Sequence, residues 1–185
     1  MRSTSSRTER TESVEMESNG KPIAIGSDHI GYALKEELRA HLLGMGYQVH
    51  DYGCPSPDPV DYPDIAFAVA RAIVGGTHER GVLVCGTGIG MAIAANKVPG
   101  VFAAQAQDAY SVARARKSND AQIITFGARV VAPELAKTLL DIWLDAEFAG
   151  GDSARKVEKV RAGERMLAEH RPSSAGSDES LKNGV

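Results

Sequence analysis

The fold turns on VLVCGTGIGMAIAANKVPG, residues 82–100. An apolar, β-rich run ends at Cys85. Three glycines follow at alternate positions, Gly86, Gly88 and Gly90. A run of small residues then reads as a helix, closed by Asn96-Lys97 before Pro99-Gly100. The sequence predicts a strand, a tight turn and a helix. Glycines let a turn fold its N–H groups inward without a Cβ clash. A helix start adds unpaired N–H groups and a positive dipole end. Such a turn suits a phosphate or a developing oxyanion, and Cys85 stands at its mouth, where negative charge on sulfur is favoured.

Working outward, the rest of the chain alternates strands with helices. Residues 21–27 (KPIAIGS) read as a first strand, with Asp28-His29 at its C-terminal end. Ala33, Leu34, Leu38 and Leu42 recur at helical spacing over 32–43, and Gly44 and Gly46 end that helix. Residues 47–52 form a second strand. A loop rich in Pro and Asp leads to a helix over 65–74, and 81–85 is strand three. Strand four is 101–105 and a helix covers 108–117. Strand five is 122–126, and a long helix spans 134–148. A last, highly charged helix over 152–169 has a thin apolar stripe of Val157, Val160, Met166 and Leu167, which suits a surface or a second subunit. This alternation predicts a doubly wound, five-stranded parallel sheet with helices on both faces. Ligands of such sheets sit beyond the C-terminal strand ends. That rule gathers Asp28-His29, residues 85–90, the Asp108 region and residues 127–129.

Composition narrows the function. The chain has 185 residues, 43% hydrophobic and 24% charged, enough for one domain with a sizeable core. A net charge of -3 gives no footprint for nucleic acid. No apolar run approaches the ~18 residues of a membrane span. Residues 1–20 and 172–185 are polar and read as disordered extensions flanking a domain over 21–171. The two cysteines, Cys54 and Cys85, lack metal or redox spacing and fit a reducing cytoplasm.

Competing readings of the central turn have to be weighed. Gly86-x-Gly88 after a strand, with Asp108 beyond the next strand, is reminiscent of a dinucleotide site. The third glycine, however, falls one residue early, and the turn lies mid-chain. A triphosphate loop would need Gly-Lys-Ser/Thr, which is absent. Among the histidines, His41, His78 and His170 read as surface residues and His50 as a half-buried sheet residue. His29 alone lies at the expected site edge. No His/Cys/Asp group has metal-ligand spacing.

Four motifs in order carry a resemblance. GSDHIGYALK (26–35), DYP (61–63), CGTGIG with AANKVPG (85–100) and SNDAQIITFGARVV (118–131) resemble the type B ribose-5-phosphate isomerases, a family that includes galactose-6-phosphate isomerase subunits. The resemblance runs from about residue 21 to about 165. It implies a Rossmann-like sheet, aldose–ketose interconversion of a small phosphorylated sugar, and no metal or organic cofactor. It also implies a homodimer or homotetramer with active sites shared between subunits, the C-terminal helix lying at the interface. By resemblance, Cys85 is the base moving a proton between C1 and C2, and Thr87 is a second catalytic residue. Gly86, Gly88, Ile89 and Gly90 form the N–H cradle for the enediolate oxygen. Asp28 and His29 contact hydroxyls or phosphate, Tyr62 lines the pocket, Asn119 holds a hydroxyl, and Arg129 and Lys156 meet the phosphate.

Two departures bear on the substrate. Ribose-using members carry His where this chain has Ser118, and that His opens the furanose ring. Ser118 is a poor acid–base substitute, but a tetrose 4-phosphate cannot close a furanose and needs no ring opener. The family's Gly-Gly-Arg-His-x-x-Arg clamp reads Gly150-Gly151-Asp152-Ser153-Ala154-Arg155-Lys156 here. Lys156 replaces the last arginine as a point charge rather than a fork, and Asp152 would repel phosphate. The expected substrate is therefore a tetrose 4-phosphate in preference to ribose 5-phosphate, which the retained His29 keeps open by taking over part of the ring opening. The alternative is a regulator that binds a sugar phosphate or nucleotide without catalysis.

Overall fold

The computed structural model describes residues 21–170. The extensions expected over 1–20 and 172–185 lie outside the described residues. Eleven elements alternate along the chain: β1 Ile23–Ser27, α1 Tyr32–Gly44, β2 Val49–Asp51, α2 Tyr62–Val74, β3 Gly81–Cys85, α3 Ile89–Ala95, β4 Ala103–Gln105, α4 Ala109–Asn119, β5 Ile123–Gly127, α5 Pro133–Leu144 and α6 Gly151–Glu169. The five strands form one parallel sheet in the order β2-β1-β3-β5-β4. The doubly wound α/β fold is as the sequence predicts.

Side chains alternate across a strand, so each central strand feeds two layers. On one face Ile25, Val82, Val84, Ile124 and Phe126 pack with Leu38 of α1 and with Leu139, Leu140 and Trp143 of α5. On the other, Ala24, Leu83, Cys85 and Ile123 pack with Val69 and Ile73 of α2 and Met91 of α3. β1, β3 and β5 are buried along their whole length, which explains their near-continuous apolar sequences.

Element ends differ from the sequence reading where local chemistry decides. α2 starts at Tyr62 rather than residue 65, because Pro63 fits the first turn of a helix. α5 stops at Leu144 rather than 148: the Arg80 guanidinium donates to the carbonyls of Trp143, Leu144 and Ala146 and binds the helix end there. His78, expected at the surface, is 2% exposed. Its Nδ1 donates to the Pro22 carbonyl at 2.7 Å, and its Nε2 accepts from the Tyr52 hydroxyl at 2.8 Å. It ties β1 to the β2 edge. His50, expected half-buried, is exposed on β2.

Candidate active site

β1 and β3 are neighbours whose following connections leave in opposite directions across the sheet, so a crevice opens between their C-terminal ends. Asp28 follows β1 and Cys85 ends β3, so the two residues flank that switch point. The Asp28 N–H donates to the Val84 carbonyl at 3.2 Å, which binds the two strand ends together. Asp28 is 5% exposed, and its Oδ1 accepts from the Gly31 N–H at 2.8 Å. Gly31 has no room for a side chain: a Cβ there would lie 2.6 Å from the Val84 carbonyl oxygen.

The turn after β3 is shaped by Gly88, whose φ of +80° is in the left-handed region that favours glycine. Cys85 is 5% exposed, neither sealed like Leu83 and Val84 nor open on the surface. Its Sγ accepts from the Gly88 N–H at 3.1 Å, which holds the sulfur against the glycine turn. Thr87 Oγ1 accepts from the Ile89 N–H at 3.3 Å. α3 begins at Ile89, and the N–H groups of Gly90 and Met91 belong to a first turn without intrahelical acceptors. Tyr62 packs over this start; a Cβ on Gly90 would lie 2.8 Å from its ring.

The β5 end closes the turn from the other side. Arg129 N–H donates to the Gly86 carbonyl at 3.0 Å, and Ala128 N–H to the Cys85 carbonyl at 2.8 Å. A Cβ on Gly127 would be 2.6 Å from the Thr87 carbonyl group, so only glycine permits this approach. His29 lies at the rim, half-buried, its Nδ1 accepting from the Val60 N–H at 3.4 Å. Asp28, His29, Tyr62, Cys85, Thr87, the glycine turn and Arg129 are therefore brought to one end of the sheet.

Two residues that fix the turn are absent from the sequence reading. The Thr125 hydroxyl donates to the Gly88 carbonyl at 2.8 Å, and Gln105 Nε2 donates to the Thr87 carbonyl at 2.6 Å. Both lie at or near the C-terminal ends of their strands, where the strand-end rule points. Asp108 is exposed and caps α4, accepting from the Ser111 N–H. Hydrogen bonds from Ser111 hold its carboxyl below the usual carboxylate range.

Ser118, Asn119 and Lys156 lie elsewhere. They line a groove of about 540 Å³ beside the edge strand β4, walled by Arg114 and Ser118 of α4 and by Ser153, Lys156, Val157 and Val160 of α6. In the β3–β5 register Gly81 pairs with Ile123 and Cys85 with Gly127. Asn119 precedes Ile123, so it sits below the level of Gly81, which is itself about 13 Å along the strand from Cys85. β4 is a further strand beyond β5. Within one chain the two groups face opposite ends of the sheet. The Ser118 hydroxyl is buried without a hydrogen-bond partner. Asp152 is exposed and does not line the groove. Among the described residues no group of three or more His, Cys, Asp or Glu is placed to hold a metal ion, and no helix is long and apolar enough to cross a membrane.

The chain is similar to known proteins over most of its length. The Ribose/Galactose Isomerase family model matches residues 23–160. The chain is 55% identical over 139 residues to the D-erythrulose-4-phosphate isomerase of Pectobacterium atrosepticum, covering 75% of this chain and 91% of that protein. It is 52% identical over 136 residues to the ribose-5-P isomerase B of Listeria innocua, covering 74% and 92%. The structure of Clostridium thermocellum ribose-5-phosphate isomerase B matches with a TM-score of 0.78 at 46% identity, over 79% of this chain and 99% of that one. The chain belongs to the ribose/galactose isomerase family of sugar-phosphate isomerases.

Proposed function

We propose that the chain interconverts a tetrose 4-phosphate aldose and its ketose, with Cys85 as the base that carries a proton between C1 and C2. The observation that carries this reading is the Gly88 N–H bond to Cys85 Sγ at 3.1 Å. It sets a sulfur, shielded from bulk water, against a turn of main-chain donors. A proton α to a carbonyl needs a placed base, worth about 10²–10⁴-fold. The enediolate oxygen needs preorganised donors, worth about 10²–10³-fold each. Of the cradle expected at residues 86–90, the Gly88 N–H is committed to Cys85 Sγ and the Ile89 N–H to Thr87 Oγ1, so the N–H groups of Gly86 and Gly90 and the Thr87 hydroxyl supply them. Asp28 Oδ2 accepts a substrate hydroxyl, since Oδ1 is committed to Gly31. His29 Nδ1 is an acceptor toward Val60, so its Nε2 carries the proton and donates to the sugar or its phosphate. Tyr62 lines the entrance and Arg129 faces the phosphate end.

The Cys85 end holds the proton-transfer chemistry, and the distant groove holds Ser118, Asn119 and Lys156. A second copy of the chain, in a homodimer or as part of a homotetramer, brings its groove to the first copy's turn. α6, whose Val160, Met166 and Leu167 are exposed, then lies at the subunit interface. Residues 21–171 are the catalytic domain of a cytoplasmic enzyme that uses no metal or organic cofactor.

Ser118 favours the tetrose. A hydroxyl is a weak general acid and base at neutral pH, and a substrate phosphorylated on O4 has no furanose ring to open. The relatives at 55% and 52% identity carry different substrate names and do not separate the two sugars. The test offers D-erythrulose 4-phosphate and ribose 5-phosphate to the purified protein and to Cys85→Ala. A higher kcat/KM on the tetrose, abolished by the substitution, is expected. A higher kcat/KM on ribose 5-phosphate would overturn the substrate assignment, and a fully active Cys85→Ala would overturn the base.

A further inference from the structure

The groove contains a cation that neither the motif pattern nor the family clamp assigns. Arg114 and Ser118 are four residues apart on α4, one helical turn, and so lie on one face. Both line the groove, opposite Ser153 and Lys156 of α6. No acidic residue lines it. The neighbouring arginines are committed: Arg116 and Arg161 both pair with Asp120, and Arg165 pairs with Glu158. Among the described residues Arg114 has no ion-pair or side-chain hydrogen-bond partner. One turn further along sits the Ser118 hydroxyl, buried and also without a partner.

A phosphate monoester carries close to two negative charges at neutral pH. Lys156 supplies one, as a point charge without directional preference. A guanidinium supplies the other as a planar fork that matches two phosphate oxygens. We propose that Arg114 is a substrate-phosphate residue of this enzyme, closing on the phosphate from α4 while Lys156 holds it from α6, with the Ser118 hydroxyl donating a further bond. This assignment rests on the groove being the phosphate-holding half of the site. It adds α4 to the grip already given to Lys156 of α6 and to Arg129, on the side of the groove where Ser118 stands.

The experiment titrates the full chain with inorganic phosphate by calorimetry, comparing the wild type with Arg114→Met and Arg114→Lys. Losing a charge-assisted fork weakens phosphate binding by about tenfold or more, with the lysine variant intermediate. In turnover of D-erythrulose 4-phosphate, Arg114→Met raises KM by about tenfold and leaves kcat within about threefold, as loss of uniform binding requires. Turnover of unphosphorylated erythrulose is the same in wild type and variant. Equal phosphate affinity in wild type and Arg114→Met overturns the proposal, as does equal loss on the phosphorylated and unphosphorylated sugars. Should the wild type turn over neither sugar phosphate, the isomerase reading fails while the phosphate titration still decides Arg114. Arg114 is exposed, so neither substitution threatens folding.

Discussion

The two ends of the sheet are built on different principles. The Cys85 end is rigid and short of charge. Its shape comes from backbone contacts that admit no side chain, at Gly31, Gly88 and Gly127, and its polar atoms are mostly paired within the protein. The α4–α6 groove is open, lined by two cations, and leaves a serine hydroxyl unpaired. In the proposed reading one end moves the proton and meets the phosphate only through His29 and Arg129. The other can hold a phosphate but has no base. The proposed function joins the two ends through a second copy of the chain. It also tells where evolution can change substrate without touching the chemistry: in the groove.

The largest effect expected from breaking the rigid end is at Gly127. Alanine there would place a Cβ 2.6 Å from the Thr87 carbonyl, and that strand end cannot yield without moving the turn. Overpacking of this kind costs about 1–3 kcal/mol, and displacing catalytic donors by about 1 Å costs about 10²-fold in kcat. Denaturant unfolding and steady-state kinetics on Gly127→Ala measure both; an undiminished kcat would mean that the turn geometry is not critical.

The groove should fail differently. Lys156→Met should raise KM about tenfold with kcat nearly preserved, since a phosphate contact made equally in ground and transition states is lost. The sharper version mixes subunits. Inactive Cys85→Ala and a groove-disrupted Lys156→Glu chain, unfolded and refolded together, should regain activity that neither has alone. No recovery despite formation of mixed oligomers would place both halves of each site in one chain.

Much of the Cys85 end is legible in the sequence. A strand running into alternate glycines fixes the turn, and the strand-end rule brings Asp28, Cys85 and Arg129 together because it depends only on parallel topology. Gln105 and Thr125 escape notice because their hydrogen bonds go to carbonyls of the turn and have no motif of their own. Strand order is not legible either: β5 inserts between β3 and β4, and nothing local records that. His78 reads as exposed because it follows Gly75-Gly76 and Thr77. Its two hydrogen bonds to distant residues, Pro22 and Tyr52, are what allow its burial. The distance of Ser118, Asn119 and Lys156 from Cys85 emerges only from the register of β3 against β5 and from the packing of α6 beside α4.

A smaller effect is expected when the ring-opening group is supplied. Ser118→His should raise kcat/KM on ribose 5-phosphate by about tenfold, less than the ~10²–10⁴-fold of a fully positioned acid–base group, while leaving a linear tetrose 4-phosphate unchanged or poorer. Equal changes on both sugars would show that position 118 does not discriminate ring-forming from linear substrates.

The smallest effect concerns scaffolding behind the site. Lys35 is fully buried, donating to Asp51 Oδ2 at 2.6 Å and to the Cys54 carbonyl at 2.8 Å. Burial alone would lower its pKa, but the hydrogen bonds and charges of Asp51 and Glu36 outweigh it and the net direction is up. A raised folded pKa means that this lysine stabilises the fold below its unfolded value, about 10.4. That contribution is lost as pH rises above it and through the folded pKa. The stability difference between wild type and Lys35→Met, by denaturant unfolding, should therefore be constant from pH 7 to 9 and shrink above about pH 10.4. A difference that grows with pH would contradict the assigned ion pair.

The most direct test of Cys85 as the proton carrier is solvent exchange at carbon. In D₂O the wild type should wash deuterium into C1 or C2 of the sugar phosphate during turnover, and Cys85→Ala should lose that exchange by about 10²–10⁴-fold while still binding inorganic phosphate. Exchange by Cys85→Ala within a few-fold of wild type would assign the proton to another group.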